Sequence, residues 1–309
     1  MSRAIDSSLN THHAALLVIA GPTGTGKSDL ASRIAESIGG ELVNYDSVQI
    51  YRGFDIGSAK PAPDVRARVP HHLFDVVDAD EEFNAADFAR VARQTCDGIA
   101  ARGRRPILVG GTFFYLRAFL RGLPEMPGRD AEIRARIRAV AGRPRGAERL
   151  HRWLSKIDPQ SGRRIAPADR HRVERALEVW LVSGRPISSF EPGGEEIPNI
   201  KIALSLPRPR LHEAIDRRVD AMYAAGLVDE TRRLLGAYSK DARPFGTIGY
   251  GEAVAVVEGT MTADAAIAET KRRTRAYAKR QLTWLRAERN VHWFEAGNPD
   301  TFKAAMELI

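Results

Sequence analysis

The chain has a single cysteine, Cys96, so it can form no internal disulfide and offers no thiolate set for a metal centre. One thiol suits a reducing setting, and a cytoplasmic protein is expected. Long apolar runs are missing too. The longest, Ala14 to Ala20, is too short to cross a bilayer. The first fifteen residues include Arg3, Asp6, Asn10, His12 and His13 and hold no hydrophobic stretch of signal-peptide length. No membrane partner is expected, and the first fourteen residues are expected to be disordered. The chain has no internal repeat and no low-complexity segment. Acidic residues run short, with 39 Asp and Glu against 47 Lys and Arg and a net charge of +8 over 309 residues. That excess either serves solubility or meets a polyanion. At 43% hydrophobic and 28% charged residues, the chain has the composition of a globular protein with one large domain or two modest ones.

The periodicities predict alternating strands and helices. Ala15 to Ala20 is an apolar run ending at glycine, as a buried parallel strand would be. A helix is expected from Asp29 to Ile38, stopping at Gly39-Gly40, then a strand from Glu41 to Asn44. Further strands are expected at Leu73 to Val77, Pro106 to Val109, Lys201 to Leu206 and Val291 to Phe294, with a helix from Ala85 to Arg102. Helices are also expected around 208–236, 251–258 and 263–289. The order implies an α/β fold with a mainly parallel sheet flanked by helices. From Leu123 the texture changes. Residues 129–175 hold fourteen Lys or Arg against six Asp or Glu, without a strand pattern. We read 123–199 as an inserted all-helical subdomain with its linker, and 15–122 with 200–309 as the catalytic core.

Gly21-Pro22-Thr23-Gly24-Thr25-Gly26-Lys27-Ser28 fits G-x-x-x-x-G-K-[ST] and sits between a predicted strand and a predicted helix. Its glycines let successive N–H groups point at an anion, and the helix dipole adds to the field. Lys27 can neutralise a phosphate, and Ser28 can hold a Mg²⁺ that bridges phosphate oxygens. The loop says that a polyphosphate binds, not what happens to it. A kinase or NTPase would carry a Walker-B acid after another apolar strand. Here Pro106 to Val109 runs into Gly110-Gly111-Thr112 with no carboxylate. Asp46 follows the second strand, so it should face the phosphate loop at the carboxyl end of the sheet. There it either takes a proton from a nucleophile or caps a short helix.

At these residues the chain resembles the tRNA dimethylallyltransferases (isopentenyl-tRNA transferases) along nearly its whole length. The match runs through the phosphate loop, Asp46-Ser47-x-Gln49-x-Tyr51, Asp55-Ile56-Gly57, Lys60-Pro61, Pro70-His71-His72-Leu73 and Val109-Gly110-Gly111-Thr112-x-x-Tyr115. It continues through Asp158-Pro159, Ile165, Asp169, Arg175-Ala176-Leu177-Glu178, Ser183-Gly184 and Ile248-Gly249-Tyr250-x-Glu252. It ends at Thr274-Arg275-x-Tyr277-Ala278-Lys279-Arg280-Gln281-x-Thr283-Trp284-x-Arg286. Four positions depart from the family pattern. Gly251 stands where a lysine is usual, Ala168 where asparagine is common, and Phe113-Phe114 where a small-then-apolar pair is usual. They bear on the finer tRNA contacts and on the shape of the prenyl pocket.

The resemblance implies a P-loop NTPase-like core that binds dimethylallyl pyrophosphate with Mg²⁺ and passes the prenyl group to N6 of the adenine immediately 3′ of the anticodon. It makes Asp46 the general base, with Lys27, Thr112 and Arg218 completing the catalytic set. Thr112 holds the bridging oxygen or the amine, or else caps a helix. Arg218 reaches the pyrophosphate or the tRNA, or else pairs with Asp216 or Asp220. The adenine must be drawn from the anticodon loop, and the Gln49 amide, with a donor and an acceptor, is suited to read its edge. By the same resemblance tRNA contacts fall on Asp46, Ser47, Val48, Gln49, Thr112, Arg134, His171, Arg172, Val173, Glu174 and Arg175. They include Gly246, Thr247, Ile248, Gly249, Tyr250, Gly251, Arg275 and Lys279, and the partner is the anticodon stem-loop, bound by a monomer. On the predicted C-terminal helix Arg272, Arg275, Lys279 and Arg286 fall within roughly a 60° arc at about 100° per residue. Ala278, Leu282 and Leu285 form the stripe beside it. Phe113, Phe114, Trp180, Trp284 and Trp293 are expected in the core. No structural metal is assigned, because adjacent His71 and His72 on a strand would face opposite ways. Rival readings are an adenylate isopentenyltransferase, a small-molecule kinase and a P-loop RNA-binding switch protein.

Overall fold

The computed structural model describes residues 16–191 and 193–309. The expectation for the first fourteen residues lies outside them. The apolar runs that end in glycine or a turn form one sheet of six strands. These are β1 (Leu16–Ala20), β2 (Glu41–Asn44), β3 (His71–His72), β4 (Pro106–Val109), β5 (Asn199–Ser205) and β6 (Val291–Glu295). Their order is β3-β2-β4-β1-β5-β6 and every pairing is parallel. The sheet is therefore wholly parallel rather than mainly so. Registers are tight at the centre, with Val18 opposite Leu108 on one side and Lys201 on the other. All residues of β1, β2 and β4 are buried, as helices covering both faces require. Leu17, Ile19, Ile34, Leu42, Ile107 and Ile202 head the main apolar core.

Three expectations need correcting. Leu73 to Val77 is not a strand, because Leu73 (φ 63°) and Asp75 (φ 55°) are left-handed and break the extended backbone. The paired segment is His71–His72, and Val77 makes only an isolated bridge to Tyr51. Asp75 is held by Lys60 at 2.6 Å and Arg66 at 3.1 Å, and the Leu73 carbonyl accepts from Asn44 Nδ2 at 3.0 Å. The stretch 208–236 is two helices, Arg208–Ala224 and Leu227–Leu235, broken at Gly226 (φ 95°). Among the aromatic residues, Phe113 is buried, while Trp180 and Trp284 are half-buried. Phe114 (54% exposed) and Trp293 (40%) are not core. On the helix Phe113–Arg121 successive side chains turn by about 100°, which carries Phe114 out of the core that Phe113 enters.

The described residues divide into two compact units. One comprises the residues up to Leu120 with Ile197–Ile309, and holds the sheet. The other, Arg121–Glu196, spans the basic stretch. Within this second unit the helices are Ala131–Ala141, Gly146–Ile157, Pro159–Arg164 and Arg170–Ser183, around Ile137, Leu150, Leu154, Val173, Ala176 and Leu177. Two acids of its sequence motifs, Asp158 and Asp169, are helix caps. Asp158 accepts from Ser161 N with Pro159 in the first turn, and Asp169 accepts from Arg172 N.

At its centre the fully buried Glu178 carboxylate accepts from Arg134 at 2.7 and 2.9 Å, Arg175 at 2.6 Å and the Asp130 N–H at 2.8 Å. Burial raises its pKa, but these donors outweigh it and hold the carboxyl at about 2. A carboxylate held below its unfolded value stabilises the fold above about pH 5 and loses that contribution as pH falls toward 2. Glu178→Gln leaves two guanidinium groups without their buried counter-charge, a loss of about 3–5 kcal/mol. Hydrogen exchange along Arg170–Ser183 at pH 7 should therefore speed up by about two orders of magnitude or more, and the gap from wild type should shrink at pH 3. Unchanged exchange would show that Glu178 does not anchor the unit.

Candidate active site

The strand order places the ends of β1 and β4 side by side, with β2 next to β4. Connections leave β1 toward β2 and return from β4 toward β5, and ligands in open parallel sheets lie where the order reverses in this way. A cavity of about 370 Å³ opens at that edge. Thr23, Lys27 and Ser28 line it after β1, Asp46 to Gln49 after β2, and Val109 and Gly110 at the end of β4. Arg218, Tyr277, Arg280, Gln281 and the segment Gly246-Thr247-Ile248 close it.

The loop after β1 needs its glycines. Gly24 (φ 87°) and Gly26 (φ 74°) are left-handed, and Thr25 Oγ donates to the Pro22 carbonyl at 2.9 Å to close the turn. The helix Lys27–Ile38 starts directly after Gly26. Lys27 is half-buried and makes no hydrogen bond or ion pair among the described residues. Burial, and then the nearby Arg218, push its ammonium down to about 8, with Asp46 pulling the other way. Burial also lowers the Arg218 guanidinium against the pull of Asp46. The salt bridge that would have explained Arg218 away is not made. Asp216 pairs with Arg275, and Asp220 with Lys271 at 2.7 Å. Two cations and one carboxylate thus line the same cavity, without an ion pair of either cation among the described residues.

Asp46 lines the cavity and caps the turn that follows β2. Its Oδ1 accepts from Val48 N at 2.9 Å and Gln49 N at 3.4 Å, capping the turn. Its Oδ2 lies beside Gly111, where an added Cβ would come to 3.8 Å. Thr112 does not line the cavity. Its hydroxyl accepts from Ser47 N at 3.0 Å and donates to Ser47 Oγ at 3.2 Å, so it holds the turn that carries Asp46. Its carbonyl, rather than its hydroxyl, accepts from Tyr115 and Leu116 in the first turn of the following helix. Gln49 offers less than expected. Nε2 is spent on the Ser58 and Ala59 carbonyls at 2.9 and 3.1 Å, which leaves Oε1 to face a ligand as an acceptor.

Other residues singled out in the sequence separate by environment. His171 and Arg172 are exposed on the helical unit, Val173 is in its core, and Glu174 is paired with Arg138 at 2.9 Å. Arg134 and Arg175 are committed to Glu178. Lys279 and Arg286 are exposed and make no ion pair among the described residues. Tyr250 is buried; its hydroxyl donates to Glu230 at 2.6 Å and accepts from Gly57 N at 3.1 Å. Gly249 (φ 94°) makes the turn into the helix Tyr250–Val257, and a Cβ at Gly251 would come to 3.3 Å from the Phe245 carbonyl.

The sequence reading had no role for three site-building groups. Buried Glu230 accepts from Ile56 N at 3.0 Å, Asp55 N at 3.3 Å and Gly57 N at 3.4 Å, and so shapes the wall whose Ser58 and Ala59 hold Gln49. Tyr277 OH donates to the Gly111 carbonyl at 3.0 Å. Gln281 bridges two loops, with Thr23 N donating to Oε1 and Nε2 donating to the Gly111 carbonyl, each at 2.9 Å. All three lie far along the chain from the loops they hold; Tyr277 and Gln281 fall within the C-terminal motif, but nothing in that motif names their partners.

Comparison with known proteins fits this geometry. A family model described as IPP transferase matches residues 49–288, and one described as isopentenyl transferase matches 14–70. The chain is 47% identical over 285 residues to a tRNA dimethylallyltransferase of Geobacter sulfurreducens, covering 91% of each protein. It is 44% identical over 306 residues to that of Moorella thermoacetica, covering 95% of this chain and 93% of the other. The solved tRNA isopentenylpyrophosphate transferase of Bacillus halodurans superposes with a TM-score of 0.70 at 38% identity, over 96% of this chain and 94% of its own. A eukaryotic dimethylallyltransferase described as acting on tRNA gives 0.76 at 26% identity, over 95% and 77%.

A lysine poised at about 8 makes anion binding pH-dependent. Pyrophosphate prefers the charged form, so its dissociation constant should rise about ten-fold between pH 7 and pH 9, with proton uptake on binding near pH 8. Lys27→Arg stays charged throughout this range. Calorimetry with Mg-pyrophosphate should show a flatter profile for the variant, and identical profiles would remove Lys27 from the anion site.

Proposed function

The chain belongs to the IPP transferase family, and from that premise we propose that it transfers the dimethylallyl group of dimethylallyl pyrophosphate to tRNA. The acceptor is N6 of the adenine immediately 3′ of the anticodon, and pyrophosphate is released. One observation carries this reading: among the described residues, the phosphate loop and a carboxylate with one oxygen outside the turn's hydrogen bonds line a single cavity, and no second acid lines it. The loop holds the pyrophosphate by its N–H groups, Lys27 and Arg218. As the carbon–oxygen bond breaks, negative charge grows on the leaving oxygen, where these fixed donors stabilise it. A carbon–nitrogen bond forms to N6, and Asp46 Oδ2 takes the N6 proton while Oδ1 stays tied to the turn. Gln49 Oε1 accepts the other N6 hydrogen. An acceptor on the protein suits the amino group of adenine and repels a keto oxygen.

A Mg²⁺ ion fits the donors present. Ser28 lines the cavity with a hydroxyl, and no group of three carboxylates or imidazoles exists among the described residues. That set suits an ion held mainly by substrate oxygens and water, and when bound it would neutralise the leaving pyrophosphate. The anticodon stem-loop is gripped by the basic helical unit through His171 and Arg172, and by Lys279 and Arg286. Among the described residues no helix is long and apolar enough to cross a membrane. The proposed setting is the cytoplasm, and the proposed state a monomer.

Asp46→Asn should bind tRNA within a few-fold of wild type and turn over about 10²–10⁴ times more slowly, the usual worth of a general base. The assay takes labelled dimethylallyl pyrophosphate with tRNA or with AMP. Near-normal turnover in the variant would exclude the base role. Label on AMP but not on tRNA would favour the adenylate isopentenyltransferase, and tRNA-independent ATP hydrolysis would favour the kinase or switch readings.

Replacing Lys279 and Arg286 by Ala should flatten the slope of log K for tRNA against log salt by about one to two units, at ~0.7–0.9 per phosphate contact. An unchanged slope would make these side chains a solvated face only.

A further inference from the structure

We propose that Gln281 is a positioning residue that sets the spacing between the phosphate loop and the turn carrying Asp46. Gln281 stands near the C-terminal end of the helix Ala263–Ala287, amid basic neighbours, yet it is only 2% exposed. Its amide is used at both ends. Oε1 takes the Thr23 N–H of the loop after β1, and Nε2 donates to the Gly111 carbonyl after β4, both at 2.9 Å. Tyr277, one turn earlier on the same helix, donates to that same carbonyl at 3.0 Å. Together they clamp the two loops that flank the crevice.

Gly111 is the seat of the clamp. A Cβ there would lie 2.4 Å from Gln281 Nε2, so any side chain would drive the amide off its bonds. The residue that follows, Thr112, grips Ser47 through both N–H and Oγ, and Ser47 adjoins Asp46. The connection therefore runs from Thr23 through the amide to Gly111, on to Thr112 and Ser47, and so to the base. No link in it needs the nucleic acid. In the transferase reading, on which this inference rests, the loop fixes the prenyl carbon and the turn fixes the proton acceptor. The amide then determines how far apart the reacting groups stand. A displacement of about 1 Å between such groups can cost about two orders of magnitude in rate.

The test uses the full-length protein and three readouts: pyrophosphate affinity by calorimetry, tRNA affinity by filter retention, and kcat with both substrates saturating. Gln281→Met keeps the volume and removes both bonds. It should weaken pyrophosphate binding by roughly ten-fold and lower kcat by about ten- to a hundred-fold, with tRNA affinity unchanged. Gly111→Ala, which leaves Gln281 in place and pushes on it, should give the same pattern. Combining Gly111→Ala with Gln281→Ala makes room for the new methyl. The double variant should then be no worse than Gln281→Ala alone, a strongly non-additive cycle.

A purely structural role would lower the melting temperature and the folded fraction, but would leave pyrophosphate affinity and the cycle additive. That result overturns the proposal. Loss of tRNA affinity alone would also overturn it, by making Gln281 an RNA contact. If the wild type transferred no prenyl group, the functional reading would fail, while the pyrophosphate arm would still decide whether the amide orders the loop.

Discussion

Parallel strands deliver all their carboxyl ends to one edge of the sheet, and the arrangement of this site depends on that constraint. Because β4 inserts between β1 and β2, the phosphate loop, the Asp46 turn and the Gly110-Gly111 turn meet although they lie far apart along the chain. A parallel sheet needs a long crossover between neighbours, and those crossovers are the covering helices. The helix Ala263–Ala287, coming after β5, then reaches back over the edge to clamp two of the three turns.

The charges follow a consistent division. Away from the cavity, the buried carboxylates Glu230 and Glu252 and the helix acids Asp216 and Asp220 have partners. Glu230 is met by backbone N–H groups and a phenol, Glu252 by Arg273, Asp216 by Arg275 and Asp220 by Lys271. At the cavity, Lys27 and Arg218 are desolvated and make no ion pair among the described residues. Burying an unpaired cation is unfavourable, and the depressed ammonium of Lys27 is the visible sign of it. A bound polyphosphate would offset both the burial and the mutual repulsion of these cations.

The basic surplus divides in the same way. Arg134 and Arg175 are internal struts around Glu178, and Arg275 braces one helix against another through Asp216. A buried guanidinium bound to a carboxylate has little left to offer a phosphate. His171, Arg172, Lys279 and Arg286 point to solvent instead, and the RNA reading rests on them.

Much of the fold was legible in the residues themselves. Apolar runs closed by glycine marked β1, β2 and β4, whose burial on both faces leaves little choice of partner. The phosphate loop was equally plain, since its conformation depends on glycines at set positions and on the helix that follows. Asp46 could be placed by its distance from a strand end alone. Local pattern failed at Leu73 to Val77, where left-handed residues braced by Lys60 and Arg66 override strand propensity. It also could not say which half of the Gln49 amide was free, or that Thr112 serves Ser47. Nor could it show that Glu230 and Gln281 build the site from more than 150 residues away from the loops they hold. Those outcomes rest on hydrogen bonds between distant segments. A glutamine or glutamate carries no mark of its partner until the sheet has brought the two together.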